Sequence, residues 1–322
     1  MRHLFIVDPL PRLDVEKDTT IAFIREAARR SHEVFSAEVA QLSVGVGGWP
    51  MCHVLPTKPC EGDPWYEVGA SVSLPLHEFD VVWMRKDPPF DINYVYVTHL
   101  LSLVRSTTLV VNDPRGLREV AEKFFSLRYP ELGPESLVSR SIDELLEFRE
   151  KLGGEMVIKP LDGAGGEGVF HLTPNDRNLF AILESATRFG QEYQLAQRYI
   201  PEIRQGDKRI ILLEGEPIGA VLRVPHPAET RANLHVGGKP VKTELSDRDR
   251  EICARIGPDL VEHGILFAGI DVIGDWLTEV NVTSPTGIRE INALEGTALE
   301  VLVLDAVERC WEERQGESGR TA

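Results

Sequence analysis

Short apolar runs alternate with helix-period segments through the first third of the chain, and this alternation constrains the fold more than any other feature. Residues 4–7 read as a buried strand closed by Asp8-Pro9. Asp18 is placed to cap a helix over residues 19–30, in which Ile21, Ile24 and Ala28 fall on one face. A strand over 80–84 follows, then a helix around 94–104 and a strand over 109–112. Strand–helix–strand order requires crossover connections, and crossovers produce parallel sheets. Ligands of such sheets sit beyond the carboxyl ends of the strands, where Arg85 and Asp87 fall. Residues 43–75 are rich in glycine and proline and predict little regular structure.

A second unit begins near Glu122. Strands are predicted at 137–138, 156–160, 169–172 and 194–200, with helices at 142–152 and near 179–186. Ser141-Ile-Asp-Glu144 matches a capping box for the first of these helices, and Gly153-Gly154 ends it. From Gly206 hairpins dominate, with strands at 209–213 and 217–224 and a turn at 214–216. A polar loop over 225–239, a helix over 247–263 and strands at 268–273 and 277–282 complete the pattern. Residues 312–322 read as a disordered polar tail. The fold class is α/β, passing to α+β in the C-terminal part.

The chain has 322 residues and a formal net charge of −16. So acidic a protein repels phosphate backbones and anionic lipid, which argues against nucleic-acid and membrane-surface partners. The apolar run at the N-terminus is too short for a signal-peptide core, and no window approaches a membrane span. Cys52, Cys60, Cys253 and Cys310 form no CxxC, and Cys52, His53 and Cys60 lack a fourth metal ligand. A cytosolic location with reduced thiols follows.

Three constellations carry chemistry. Gly163, Gly165, Gly166 and Gly168 lie between two strands, a loop whose N–H groups can approach an anion, and Lys159 on the entering strand adds a charge. A mobile hairpin tip would share this composition. Glu279 and Asn281, two apart on a strand, share a face. Asp271 joins them if the hairpin loop has three residues, Gly274-Asp275-Trp276, and points away if it has two. Two carboxylates and an amide are the hard oxygen donors that Mg²⁺ takes beside substrate phosphates, although a solvated polar face would read the same. Arg209, Arg223 and Arg231 are the third group. Near such a site they suit the clamping of carboxylate and transferring phosphate.

Together with Arg85-Lys-Asp-Pro-Pro-Phe-Asp91, Ile158-Lys-Pro-Leu-Asp-Gly-Ala-Gly-Gly166, Gly206-Asp-Lys-Arg209, Glu229-Thr-Arg-Ala-Asn233 and Leu277-Thr-Glu-Val-Asn-Val-Thr-Ser-Pro-Thr286, these features make the chain resemble the bacterial glutathione synthetases, which are ATP-grasp ligases. The resemblance runs from Val7 to about Ile291. It implies an ATP-grasp fold: a Rossmann-like domain over 1–122, a lid over 123–200, a C-terminal part over 201–314 and a tail over 315–322. It also implies ligation of γ-glutamylcysteine and glycine through an acyl phosphate, with another peptide or amino-acid acceptor as the alternative. Lys123, Lys159 and the loop glycines would hold ATP phosphates and the adenine edge. Gln197, Arg198, Tyr199 and Ile200 would form the adenine hinge, and Asp207 would touch ribose. Asp271, Glu279 and Asn281 would hold Mg²⁺, with Mn²⁺ as the alternative ion. Arg209, Arg223 and Arg231 would be catalytic, and Arg85, Asp87, Asn233, Ser284, Pro285 and Thr286 would surround the acceptor. Loop 225–239 would close as a lid, and a homo-oligomer, tetramer or dimer, is expected. Gly287 departs from the resemblance, standing where a cysteine is expected.

Overall fold

The computed structural model describes residues 1–163, 165–226 and 237–318. Three sheets organise it. The first contains β1 (Arg2–Ile6), β2 (Glu33–Ala37), β3 (Leu42–Val44), β4 (Pro50–Pro59), β5 (Tyr66–Val68), β6 (Val72–Pro75), β7 (Val81–Met84) and β8 (Leu109–Val111). Its centre, in the order β2-β1-β7-β8, is parallel. The crossovers are α1 (Thr19–Arg29), capped by Asp18 accepting from the Thr20 N–H, and α2 (Ile92–Ser102). Helices cover the sheet, so Leu4–Ile6 and Val81–Met84 are buried on both faces and read as unbroken apolar runs.

Residues 43–75 differ from the expectation of irregular chain. The ten-residue β4 pairs antiparallel with β2, β3, β5 and β6. Its prolines sit at its ends and at Pro56, whose carbonyl still accepts from the Gly69 N–H at 2.8 Å. A ladder can therefore form where composition suggests a loop.

The chain then passes through α3 (Pro114–Glu119) and α4 (Glu122–Phe125) to an antiparallel sheet of β9 (Ser136–Ser139), β10 (Met156–Pro160), β11 (Phe170–Leu172) and β12 (Gln194–Arg198). Its strand order is β11-β10-β12-β9. The helices α5 (Ile142–Lys151) and α6 (Leu179–Ala186) give it a core of its own, around Leu145, Ile158 and Leu183. The capping of α5 is relayed. Ser141 Oγ accepts from the Glu144 N–H, but Glu144 reaches Ser139 Oγ, which in turn accepts from the Ser141 N–H at 2.9 Å.

The third sheet is antiparallel, with β13 (Asp207–Leu213), β14 (Glu216–Val224), β15 (Lys239–Lys242), β16 (Phe267–Ile273) and β17 (Trp276–Asn281) in the order β15-β14-β13-β16-β17. Helix α7 (Asp247–Glu262) packs against it, and Ile210, Ile270 and Leu260 join Val82 and Met84 of the first sheet in one core. Two helices that sequence reading missed follow, α8 (Ile288–Glu295) and α9 (Leu299–Ser318). The latter runs through residues read as a polar tail. Val303, Leu304 and Val307 bury its inner face, and Arg30 of the first sheet's layer pairs with Asp305 at 2.7 Å and Glu308 at 2.9 Å. A buried stripe upstream carries the polar C-terminal turns as helix.

Candidate active site

The β16–β17 hairpin resolves the question of loop length in an unexpected way. Its loop has two residues, Gly274 and Asp275, between the paired Ile273 and Trp276. A bulge at Thr278 then shifts the register, so that Asp271 faces Glu279 and Gly269 faces Asn281. One extra residue re-aims a side chain to the opposite face, and here it brings Asp271 back to the side of Glu279. Thr278 Oγ1 fixes the bulge by donating to the Asp271 carbonyl at 3.1 Å. Two carboxylates and an amide thus stand on neighbouring strands, a donor set that fits a hard divalent cation.

Asp271 does not stand alone. Arg209 donates to it through Nε at 2.5 Å and Nη2 at 2.9 Å, and Arg223 Nη2 lies 2.9 Å from the same carboxylate while pairing with Asp207. All four side chains are buried. Burial pushes the Asp271 carboxyl up, but the two guanidiniums outweigh it and hold it below the usual carboxylate range. For Asp207 burial prevails over Arg223, and its pKa is raised. Neither pairing was foreseen, because strand register decides it.

A first cavity lies between the second and third sheets. Lys123, Lys159, Gly163, Gly165, Gly166, Gln197, Arg198, Tyr199, Ile200, Asp207, Asp271 and Glu279 all line it. Lys159 Nζ donates to Gln197 Oε1 at 2.7 Å, and Gln197 Nε2 donates to Ser136 Oγ at 3.0 Å. Lys123 Nζ donates to the Gly163 carbonyl and lies 3.3 Å from Glu279 Oε1. Gly168 stays at the base of the loop, at φ +68°, where a Cβ would come within 3.0 Å of Pro160. Sequence reading missed His171, which stacks on Tyr199 with ring centroids 3.9 Å apart and has Nε2 2.8 Å from Glu155. Its signal was position: it lies on β11, the strand leaving the glycine loop, opposite Val157 of the entering strand β10, and both residues line the cavity.

A second cavity adjoins the first, sharing Gly163, Gly165, Glu167 and Glu279. Asp87, Arg209, Arg223, Asn281, Ser284, Pro285, Thr286 and Gly287 line it, together with Asp8, Lys17 and Lys86. Lys86 and Asp8 pair at 2.9 Å. Arg85 is placed otherwise than expected. It lies behind the cavity wall, 5% exposed, donating to Thr20 Oγ1 at 3.1 Å and to the Pro285 carbonyl at 3.0 Å. The parallel strand end delivers it to the domain junction, over the rings of Phe23 and Phe267. Gly287 has φ +133°, and a Cβ there would lie 3.2 Å from Arg209 Cγ. Arg231 and Asn233, with most of loop 225–239, fall outside the described residues.

A cleft between two antiparallel sheets, floored by Asp271 and Glu279 and opening onto an arginine-lined cavity, is the arrangement of an ATP-grasp ligase. The model of the prokaryotic glutathione synthetase N-terminal domain matches residues 1–118, and that of its ATP-grasp domain matches residues 122–296. The glutathione synthetase of Gloeobacter violaceus is 49% identical over 95% of this chain and 96% of its own. That of Brucella melitensis is 46% identical over 94% and 96%, and that of Synechocystis 44% over 98% and 100%. The chain belongs to the prokaryotic glutathione synthetase family. Among solved structures, D-cycloserine synthetase DcsG aligns with a TM-score of 0.65 at 13% identity over 97% of this chain and 99% of its own. The RimK domain ATP-grasp protein of Sphaerobacter thermophilus aligns at 0.64 and 18% over 95% and 99%; both speak for the fold. Among the described residues no helix is long and apolar enough to cross a membrane.

Proposed function

We infer that this chain joins γ-glutamylcysteine to glycine with ATP, giving glutathione, ADP and phosphate. The observation that carries the reading is the junction of the two cavities at Glu279, beside the Arg209–Asp271 pair. A carboxylate is a poor electrophile because its leaving group would be oxide. Transfer of the γ-phosphoryl group makes the cysteinyl carboxylate of the peptide an acyl phosphate, and the glycine amine then displaces phosphate. No protein nucleophile is needed, and catalysis rests on positioning and charge neutralisation.

In this reading residues 123–200 and 201–314 hold the nucleotide from two sides. Lys123, Lys159 and the loop backbone from Gly163 to Gly168 meet the phosphates, the segment from Gln197 to Ile200 with the His171–Tyr199 stack meets the base, and Asp207 lies toward the ribose. Asp271, Glu279 and Asn281 hold Mg²⁺, or Mn²⁺, which neutralises phosphate charge when bound. Arg209 and Arg223 stabilise the transferring group, and Arg231 and Asn233 act from the loop. Asp87 and the segment from Ser284 to Thr286 bind the acceptor, with Arg85 supporting them from behind. The four free thiols and the acidic surface suit a cytoplasmic enzyme, which we take to be a homo-oligomer, tetramer or dimer. A sister ligase with another acceptor is the second reading, favoured by Gly287 in the acceptor wall. Mass-spectrometric product analysis over a panel of peptides and amines separates the two. Preferred formation of glutathione supports the first, and a better product from any other pair overturns it.

A further inference from the structure

Asn112 sits where two strands of the metal face part company. The ladder between β16 and β17 ends at the pair Gly269 and Asn281. The next rung would set Phe267 against Thr283, and it is replaced by a side chain from the end of β8. Asn112 Oδ1 accepts from the Phe267 N–H at 2.9 Å, while Nδ2 donates to the carbonyls of Phe267 and Val282, both at 2.8 Å. The side chain is buried. An amide group therefore substitutes for a peptide in the fork, and the first sheet reaches the metal hairpin through it.

The chain beyond the fork is held in the same manner. Glu122 Oε1 accepts from the N–H groups of Val282 and Thr283, both at 3.3 Å, and from Thr283 Oγ1 at 2.7 Å. Arg85 takes the Pro285 carbonyl and Arg209 the Thr286 carbonyl, at 3.0 and 3.1 Å. The backbone from Val282 to Thr286 thus relies on side chains of other elements, and the first of them fixes the residue that follows Asn281.

We propose that Asn112 is a positioning residue: its amide sets the splay of β16 and β17 and thereby aims Asn281 and the acceptor loop at the metal face. The proposal rests on the reading of Asp271, Glu279 and Asn281 as that face. Outer groups that orient metal ligands change affinity by about 10–100-fold when removed. A plain structural staple would lower the melting temperature and leave the affinity of the folded enzyme alone.

Mn²⁺ binding to the full chain in the presence of ADP, read from the electron paramagnetic resonance of free Mn²⁺, separates these cases. Asn112→Ala should bind Mn²⁺ about tenfold more weakly than the wild type, with metal-free ADP binding unchanged. If that variant does not fold, Asn112→Ser carries the same readout. Wild-type Mn²⁺ affinity in the Asn112 variant, beside lost affinity in Glu279→Gln, overturns the positioning role alone. Wild-type affinity in both overturns the metal-face reading on which it rests.

Discussion

Arg209 and Asp271 face each other across β13 and β16 and are joined by two parallel hydrogen bonds, at 2.5 and 2.9 Å. With Arg223 on one carboxylate oxygen and the Asn281 amide 3.4 Å from the other, Asp271 is surrounded by donors. In the proposed metal site a cation would meet a carboxylate already oriented by Arg209 and Arg223.

This arrangement divides the proposed metal face into a structural and an exposed half. Asp271→Asn leaves two buried guanidiniums short of a counter-charge, and breaking a buried pair costs about 3–5 kcal/mol. Its melting temperature should fall sharply, as well as its turnover. Glu279 is 22% exposed at the side chain and faces the cleft, so Glu279→Gln should keep the fold and lose Mg·ATP use. Asn281→Ala should behave like Glu279→Gln. Thermal melts by circular dichroism, with assays over a Mg²⁺ titration, check the contrast. Near-normal turnover at low Mg²⁺ in Glu279→Gln would refute the metal assignment.

Lys159 gives a pH signature. Burial pushes its ammonium below the usual lysine range, against the pull of Glu279. Raising the pH therefore discharges it before an ordinary lysine, near pH 10.4, would lose its proton. The KM for ATP should rise on the alkaline side, and Lys159→Arg, which stays charged, should flatten that rise. Identical alkaline profiles for the two proteins would exclude Lys159 as the phosphate-binding group.

For Arg85, placement behind the wall changes what its removal does. Arg85→Ala strands the buried Pro285 carbonyl, at a cost of about 1–3 kcal/mol, and frees the acceptor loop. The KM for γ-glutamylcysteine should rise while that for ATP holds, together with a lower melting temperature. A rise in the ATP constant instead would show that the loop serves the nucleotide cavity.

Much of this was legible in the sequence, and the failures share a cause. The parallel alternation, the glycine loop and the spacing of Glu279 and Asn281 are local, and local periodicity exposes them. The facing of Asp271 depends on a bulge at Thr278 that no composition reveals. Asn112 and His171 act through strands distant in the chain, and β4 gathers four partners that only tertiary pairing supplies. The tail read as disordered is helix to Ser318 because Arg30 and the buried stripe hold it.

A further prediction lies away from the site. His3 is buried, accepts from Trp83 Nε1 at 3.0 Å and stacks on His32 at 4.9 Å, and its Nε2 has no hydrogen-bond partner among the described residues. Burial first, then the charges nearby, lower its pKa to about 3. An unfolded histidine titrates near 6.5, so the unfolded chain binds the extra proton between these values. The stability that neutral His3 contributes is full above about pH 6.5 and drains away as the pH falls toward 3. His3→Phe should be less stable at neutral pH but should lose less on going from pH 7 to 5, in denaturant melts. An equal loss in both proteins would place the acid sensitivity elsewhere.

The central claim is that the two cavities meet so that ATP phosphorylates the peptide carboxylate before glycine attacks. γ-Glutamylcysteine carrying ¹⁸O at both oxygens of its cysteinyl carboxylate tests this most directly, with the released phosphate analysed by mass spectrometry. The account predicts one ¹⁸O atom in phosphate for every glutathione formed, and none in ADP. Phosphate free of ¹⁸O alongside normal glutathione synthesis would contradict it.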